Sequence, residues 1–293
     1  FSITDTDIRA PRESVFTGAG KPPSKITLYW DASGSRAASS MKYSYEFLTS
    51  YFKSLHAASV TVECIVFRNE AEDPVRFRVK NGDAGDLVSF LQEQPRDGGT
   101  QIGTLPEPVY GSRFAFLFSD GISNFGVHEI QEFPLPLYVF SEDSSANYPF
   151  LKYCAMKNNG EFFNLRSSEP FEAVSSIGRS SYRFIGTRVE SGDADEIFPQ
   201  LSQQAGDIFK VSGKLRSQTA RLTLLYGRNG QTEVEHTFTI DRSSAVDGEL
   251  LRLVWAQDKL NDLLIFPDRN AALISDLGRE YGIVRSEEHT SEL

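Results

Sequence analysis

The sequence predicts an α/β fold, in which a Rossmann-like, doubly wound and mostly parallel sheet precedes a smaller β-rich region and a C-terminal pair of helices. Three observations predict it. Short apolar segments alternate with segments of helical periodicity between residues 25 and 178, as in parallel sheets whose strands are joined by helices. Strand-like segments dominate residues 179–247. From residue 248 onward, apolar side chains recur at helical spacing.

The first region contains six expected strands and four expected helices. Ile26–Trp30 is a short apolar segment typical of a strand buried on both faces, and residues 39–56 carry apolar side chains at helical spacing. The other expected strands are Val60–Phe67, the edge strand Val75–Val79, Phe114–Phe118, Leu135–Phe140 and Glu161–Leu165. The other expected helices lie around 87–91, at Tyr148–Asn158 and near Pro170–Ile177. Ligands of such sheets bind beyond the carboxyl ends of the strands.

The later regions contain three expected strands and two expected helices. The strands are Ile208–Leu215, Ala220–Tyr226 and Thr232–Ile240, with an Asn-Gly hairpin turn within Gly227–Gly230. The helices are Leu250–Phe266, whose apolar face is expected to include Leu250, Leu253 and Leu260, and Asn270–Tyr281, with Asn270 as a candidate N-cap. Residues 248–284 are therefore expected to form a helical segment after the β-rich region at 179–247.

Both ends of the sequence differ in character from the rest. Residues 1–24 are expected to be a connector from an upstream region, with short strands at Phe1–Thr4 and Ser14–Thr17. The string from Arg285 to Leu293 matches the in-frame translation of a common DNA-sequencing adapter. We therefore expect 285–293 to be an assembly artefact and the chain to be a truncated fragment. A natural polar tail is the alternative.

Composition restricts the classes of partner. With 30 Lys and Arg against 40 Asp and Glu, the formal net charge is −10, which argues against nucleic acid or an anionic membrane surface as the main partner. No apolar run reaches the roughly 18 residues of a membrane span. The two cysteines, Cys64 and Cys154, are too few for a disulfide framework, although a single bridge stays open.

Oxygen-bearing side chains follow two expected strands and occupy one loop between them. Asp31-Ala-Ser-Gly-Ser35 follows the first strand, Thr100 ends a Gly-Gly-Thr loop, and Asp120-Gly121 follows Phe114–Phe118. Carboxylates and hydroxyls suit Mg²⁺, with Mn²⁺ or Ca²⁺ as alternatives, and disfavour zinc or copper. The sequence therefore predicts one divalent-cation site with the following ligands: Asp31, Ser33, Ser35, Thr100 and Asp120.

This set of motifs resembles the metal-ion-dependent adhesion site of von Willebrand factor A (VWA) domains, and the resemblance covers residues 25–178 with all five motif positions filled. It implies that Ser33, Ser35 and Thr100 lie near the metal as ligands, and that Asp31 and Asp120 act directly or through water. It also implies that the remaining coordination position accepts a carboxylate from a protein partner. The expected function is thus a cation-dependent adhesion or interaction module.

One segment departs from the family pattern. Only Gln101–Arg113 separates Thr100 from the next strand, and it contains Pro106 and Pro108. The helix usual at this place in the family is therefore expected to be short or absent, which argues against an integrin-like helix shift that couples the metal to affinity.

The C-terminal segment carries a second resemblance. Leu253–Leu260, followed by a helix ending in Tyr281–Val284, is similar to the segment after the A domain in inter-alpha-trypsin inhibitor heavy-chain-like proteins. That resemblance implies a bacterial protein with a vault/inter-alpha-trypsin (VIT) domain upstream. On family grounds, an envelope or surface location is expected.

An enzyme is the main alternative of a different class, either a Mg²⁺-dependent hydrolase or a phosphotransferase. Phosphoryl-transfer sites of this kind place a second acidic residue two positions after the first, but that position is Ser33 here. No phosphate-binding loop and no Gly-x-Ser-x-Gly elbow is present, and His128 is the one histidine near the expected site. We therefore predict a non-enzymatic protein. A structural scaffold with a vestigial metal site is the other alternative, and Ser123 and Asn124 are candidate rim residues.

Overall fold

The computed structural model describes residues 1–8, 22–56, 58–122, 129–167, 170–178, 182–228, 231–245 and 249–283. Its contacts divide the chain into two compact units. One, called the β unit below, consists of Phe1–Ser14 and Ser180–Leu293. The other, called the α/β unit, consists of Val15–Arg179. No helix within the described ranges has the length and apolar character needed to cross a membrane.

The secondary structure is as follows. The strands are β1 (Ser2–Asp5), β2 (Lys25–Asp31), β3 (Ser59–Phe67), β4 (Val75–Lys80), β5 (Ala115–Phe118), β6 (Leu137–Ser141), β7 (Phe162–Asn164), β8 (Arg183–Ser191), β9 (Ala194–Phe198), β10 (Gln203–Gln204), β11 (Phe209–Leu215), β12 (Thr219–Arg228) and β13 (Gln231–Asp241). The helices are α1 (Lys42–Ser54), α2 (Gly85–Gln92), α3 (Tyr148–Lys157), α4 (Pro170–Ser176), α5 (Glu249–Leu263) and α6 (Ala271–Tyr281).

The α/β unit contains a six-stranded sheet with the order β4-β3-β2-β5-β6-β7. All neighbouring strands are parallel except β3 and β4, which are antiparallel. Counted along the chain within this sheet, the order is 3-2-1-4-5-6, which is that of a doubly wound fold. The expected fold class is confirmed. The order reverses between β2 and β5, and ligands of such folds bind at this reversal.

Aromatic side chains fill the core of the α/β unit. Every residue of β5 and of β6 is buried, as expected for strands covered on both faces. The Phe118 and Phe140 rings stack with centroids 4.7 Å apart, and Phe47 of α1 lies 4.3 Å from Phe140. The phenylalanines of these elements therefore serve packing. Cys64 and Cys154 are both buried and free, so the single disulfide left open by the sequence is absent.

All six strands and four helices expected in this unit are present, with ends shifted by a few residues. Between Thr100 and β5, the described chain forms a short 3₁₀ turn at Ile102–Thr104 and no α-helix. The shortened segment is therefore confirmed. The prolines of this segment explain the missing helix, because a proline lacks a backbone N–H and disfavours helical backbone at the preceding residue.

The β unit contains two antiparallel sheets that share one core. Their strand orders are β1-β11-β9 and β10-β8-β12-β13. The strand expected near Phe1–Thr4 is β1, which pairs with β11 more than 200 residues later. Strands β8, β9 and β10 were not predicted, and the expected strand Ser14–Thr17 lies outside the described residues, as do Asn229 and Gly230 of the expected hairpin turn.

His236 of β13 is partly exposed, and its Nδ1 lies 2.7 Å from an oxygen of Asp5, which is 2% exposed. Leu250 and Leu253 were expected on the buried face of α5, but both are exposed, and the buried residues are Trp255, Ala256 and Leu260. Trp255 anchors the helix by donating its indole N–H to the Glu196 carbonyl (3.0 Å). The spacing of apolar residues predicts a helix with an apolar face, but it does not show which part of that face is buried.

Asn270 lies at the N-cap position of α6, as expected, but its side chain makes no capping hydrogen bond. Its amide instead donates to the Leu263 carbonyl, 2.8 Å away, at the end of α5. The residue therefore joins the two helices across their connection.

Candidate metal centre

The two acidic residues of the expected site follow neighbouring strands. Asp31 is the last residue of β2, and Asp120 comes two residues after the end of β5. Since Trp30 and Phe118 are partners in the parallel register, the two chains leave the sheet side by side. Both acids are almost completely buried, with 0% and 1% exposure. The structure thus brings two carboxyl groups together at the strand-order reversal.

Hydrogen bonds fix both oxygens of the Asp31 carboxylate. Oδ1 accepts the Ser33 backbone N–H (3.0 Å), and Oδ2 accepts the hydroxyl of Ser119 (2.6 Å). The Ser119 hydroxyl oxygen in turn accepts the Gly121 N–H at 3.0 Å. Ser119 therefore connects the loops of the two acids. Sequence reasoning missed this residue, and its position directly before Asp120 is the only signal that could have drawn attention to it.

The two serines of the first motif lie on a 3₁₀ turn, Gly34–Arg36, and the residue before it. Their hydroxyl oxygens are 3.0 Å apart. Ser33 is buried and Ser35 is exposed, and the Ser35 hydroxyl also hydrogen-bonds the Asp120 carboxyl group. These contacts bring Asp31, Ser33, Ser35 and Asp120 into one hydrogen-bonded group.

Thr100 is buried and belongs to a loop that is bonded to the serine turn. The Gly34 N–H donates to the Gly98 carbonyl at 3.0 Å, two residues before Thr100. Gly98 has a φ of +68°, and a Cβ there would lie 2.9 Å from the Asn69 amide nitrogen. That Asn69 side chain accepts the Gly99 N–H at 2.8 Å. Asn69 thus holds the glycine pair that precedes Thr100, a role that the sequence pattern did not reveal.

The electrostatics favour a cation. Burial raises the pKa of Asp120 above its ordinary value, and the negative charge of Asp31 raises it further. Hydrogen bonds from the Ser35 hydroxyl and from the Ile122 backbone N–H lower the pKa of Asp120. A buried carboxyl group whose proton affinity is raised by burial and by a neighbouring acid gains from a nearby positive charge.

Arg36 supplies one positive charge beside these acids. Its side chain is fully buried, and its guanidinium lies 5.7 Å from the centre of the Trp30 ring. Nη1 donates to the main-chain carbonyls of Asp31 and Phe118, at 3.2 and 3.1 Å. Nε donates to the carboxylate of Asp143 at 3.3 Å. A buried arginine with these contacts is a third feature that the motif did not predict.

The donor set fits a hard divalent cation, since it consists of carboxylate and hydroxyl oxygens. Among the residues that the structure describes, no three His, Cys, Asp or Glu side chains form a group able to hold a metal ion. A cation at this edge would therefore depend on the serine and threonine hydroxyls in addition to the two carboxylates. The expected rim residues Ser123 and Asn124, together with His128, lie outside the described residues.

No protein-family model matches the chain. No curated protein is similar to it at a significant level either.

Solved structures similar to the chain include von Willebrand factor A proteins. A von Willebrand factor type A protein from Catenulispora acidiphila is 12% identical, over 88% of this chain and 79% of its own, with a TM-score of 0.41. The ArnB paralog VWA2 from Sulfolobus acidocaldarius has the same identity and coverages and a TM-score of 0.39. Manganese-loaded TRAP from Plasmodium vivax is 10% identical, over 82% and 96%, with a TM-score of 0.37. Because these scores are low, the fold assignment depends on the strand order of the chain itself.

Proposed function

We propose that this chain is a divalent-cation-dependent protein-binding module whose cation lies at the ends of β2 and β5. The observation that carries the proposal is the pair of buried carboxyl groups, Asp31 and Asp120, joined to Ser33 and Ser35 by hydrogen bonds. Mg²⁺ is the proposed ion, with Mn²⁺ or Ca²⁺ as substitutes, because these cations prefer oxygen ligands.

The residues have separate proposed roles. The hydroxyls of Ser33, Ser35 and Thr100 contact the cation, and the two aspartates contact it directly or through water. Asp31 is already oriented by Ser33 and Ser119, so little side-chain entropy is lost when the cation binds. When bound, the cation would supply the positive charge to which a carboxylate oxygen of a protein partner coordinates.

A non-enzymatic role is part of this proposal. The Asp31 carboxylate accepts one hydrogen bond from its own loop and one from Ser119 in the loop of Asp120, an arrangement that suits a fixed ligand better than a mobile general base. For the compartment we propose the envelope or surface of a bacterium. The support for this is the resemblance of the motif set to adhesion sites.

The test uses Mn²⁺-loaded protein and small carboxylates as probes. The methyl protons of acetate should relax several-fold faster with the loaded protein than with the Asp31→Ala variant at the same total Mn²⁺, after correction for free ion. Acetamide, which has the same shape and no charge, should show a much smaller effect. Equal relaxation of acetate and acetamide would contradict the carboxylate bridge and favour the scaffold with a vestigial site.

A further inference from the structure

Arg36 occupies an unusual place for a charged side chain. It follows the Asp-x-Ser-x-Ser motif directly and is fully buried. Its Nη1 bonds the main-chain carbonyls of Asp31 and Phe118, which end the two strands that carry the candidate ligands. Its Nη2 is buried and has no hydrogen-bond partner among the described residues.

Burial of an arginine costs free energy unless nearby negative groups offset it. Asp143 bonds Arg36 Nε and is 15% exposed. The remaining partners of the guanidinium are main-chain carbonyls, so Asp143 does not satisfy it alone. The Asp31 carbonyl that it bonds belongs to a candidate ligand, and Asp120 lies two residues after Phe118, whose carbonyl it also bonds. The guanidinium thus lies beside the position where a cation would bind.

A fixed positive charge at this place has two opposite effects. It reduces the repulsion between the two aspartates while no cation is bound, and it repels a cation that enters the same pocket. Arg96 donates to the main-chain carbonyls of Arg36 and Ser39, and the Glu142 carboxylate accepts the backbone N–H and the hydroxyl of Ser44. Because these two charges are opposite in sign, they offset each other, and the positive charge of Arg36 remains beside the aspartates.

We propose that Arg36 is a built-in counter-charge for the Asp31–Asp120 pair, which keeps the site folded without a cation and lowers its affinity for one. The inference rests on the proposed function, since it concerns the same site. It implies that the protein binds Mg²⁺ reversibly and responds to its concentration, instead of holding a permanent structural ion.

The test measures Mn²⁺ affinity by the electron paramagnetic resonance signal of free Mn²⁺, with thermal melting as a second readout. Arg36→Met removes the charge at similar side-chain length and should bind Mn²⁺ about tenfold more tightly than the wild type. Its melting temperature should be lower without Mn²⁺ and rise more when Mn²⁺ is added. Arg36→Lys keeps the charge and should bind within about threefold of the wild type.

A purely structural role predicts a different pattern, in which both variants lose affinity, and that result would overturn the inference. If Arg36→Met does not fold, Asp143→Asn decides the question. That variant removes the partner of the Nε group and leaves the positive charge less neutralised, so Mn²⁺ affinity should fall by at least about threefold. Unchanged or tighter binding by Asp143→Asn would overturn the inference.

The two proposals fail in distinguishable ways. Absence of Mn²⁺ binding in the wild type and in Arg36→Met contradicts the proposed function and the inference together. Binding by the wild type that weakens in Arg36→Met contradicts the inference alone. If Arg36→Met binds Mn²⁺ and the wild type does not, the counter-charge is supported and the proposed function of the wild-type site is contradicted.

Discussion

At the scale of single residues, the candidate site separates the groups that hold its shape from the groups that face outward. Ser119 is buried and donates to Asp31, while Ser35 is exposed and bonds Asp120. Both side chains are serines, but their hydroxyl groups have different surroundings. Removing the buried hydroxyl leaves an unpaired carboxylate oxygen, and removing the exposed one leaves an oxygen that water can reach.

This difference gives a matched pair of variants. Ser119→Ala should destabilise the protein by about 1–3 kcal/mol, because Oδ2 of the buried Asp31 loses its donor. Ser35→Ala should change stability by less than about 1 kcal/mol and instead weaken Mn²⁺ binding. Urea unfolding and Mn²⁺ titration of both variants measure the two effects. Equal effects of the two substitutions on both quantities would show that the hydroxyls have no separate roles.

At the scale of elements, the site depends on where the strands end. The order of the sheet places β2 beside β5, and the loops after them carry the two acids. The loop at 95–104 joins them through the bond between Gly34 and Gly98, and Asn69 supports that loop from the end of β3. Three strand ends therefore contribute to one site, and only two of them carry the recognised acidic motifs.

In the β unit, helix α5 carries an acid that gives the protein a defined pH dependence. Burial raises the pKa of Asp262 to about 6; the Gln200 N–H opposes the shift and the charge of Asp258 adds to it. Because the folded-state pKa lies above the ordinary value, the folded state is favoured by protonation. The stability associated with this group is fully present at pH below about 4 and is lost as pH rises through about 6.

Asp262→Asn should therefore stabilise the β unit at pH 8 by about 1–2 kcal/mol, after allowance for solvent screening, and have little effect at pH 4. Urea unfolding can be followed by Trp255 fluorescence in a Trp30→Phe background. Asp268→Asn, at an exposed position between α5 and α6, serves as the control and should show no such pH-dependent difference. A stabilisation of the same size at both pH values would contradict the assigned shift.

At the scale of the whole molecule, the sequence predicted one unit better than the other. Periodicity identified every strand and α-helix that the structure describes in the α/β unit, because its buried strands are continuous apolar segments and its helices are amphipathic. In the β unit, β8 was missed because Arg188 and Glu190 interrupt its apolar pattern, and β9 was missed because Asp195 and Glu196 interrupt its pattern. The pairing of β1 with β11 joins residues more than 200 positions apart, which local patterns do not reveal.

The candidate site was predicted only in part. The five candidate ligands were predicted from oxygen-bearing motifs after two strands and in one loop, and their role as ligands stays a prediction. The structure places Asp31, Ser33, Ser35 and Asp120 in one hydrogen-bonded group. The supporting residues are Arg36, Asn69 and Ser119. They were missed because they act on the main chain or through a second side chain, and such contacts leave no regular spacing in a sequence.

The central claim is that this edge of the sheet binds one divalent cation, and calorimetric titration of the chain with Mg²⁺ tests it most directly. The wild type should show saturable binding to a single site, and Asp31→Ala should show none while it keeps its circular dichroism spectrum. Asp97→Ala, which removes an exposed acid from the neighbouring loop, should bind like the wild type. Absence of saturable binding in the wild type, or equal binding by Asp31→Ala, would contradict the claim.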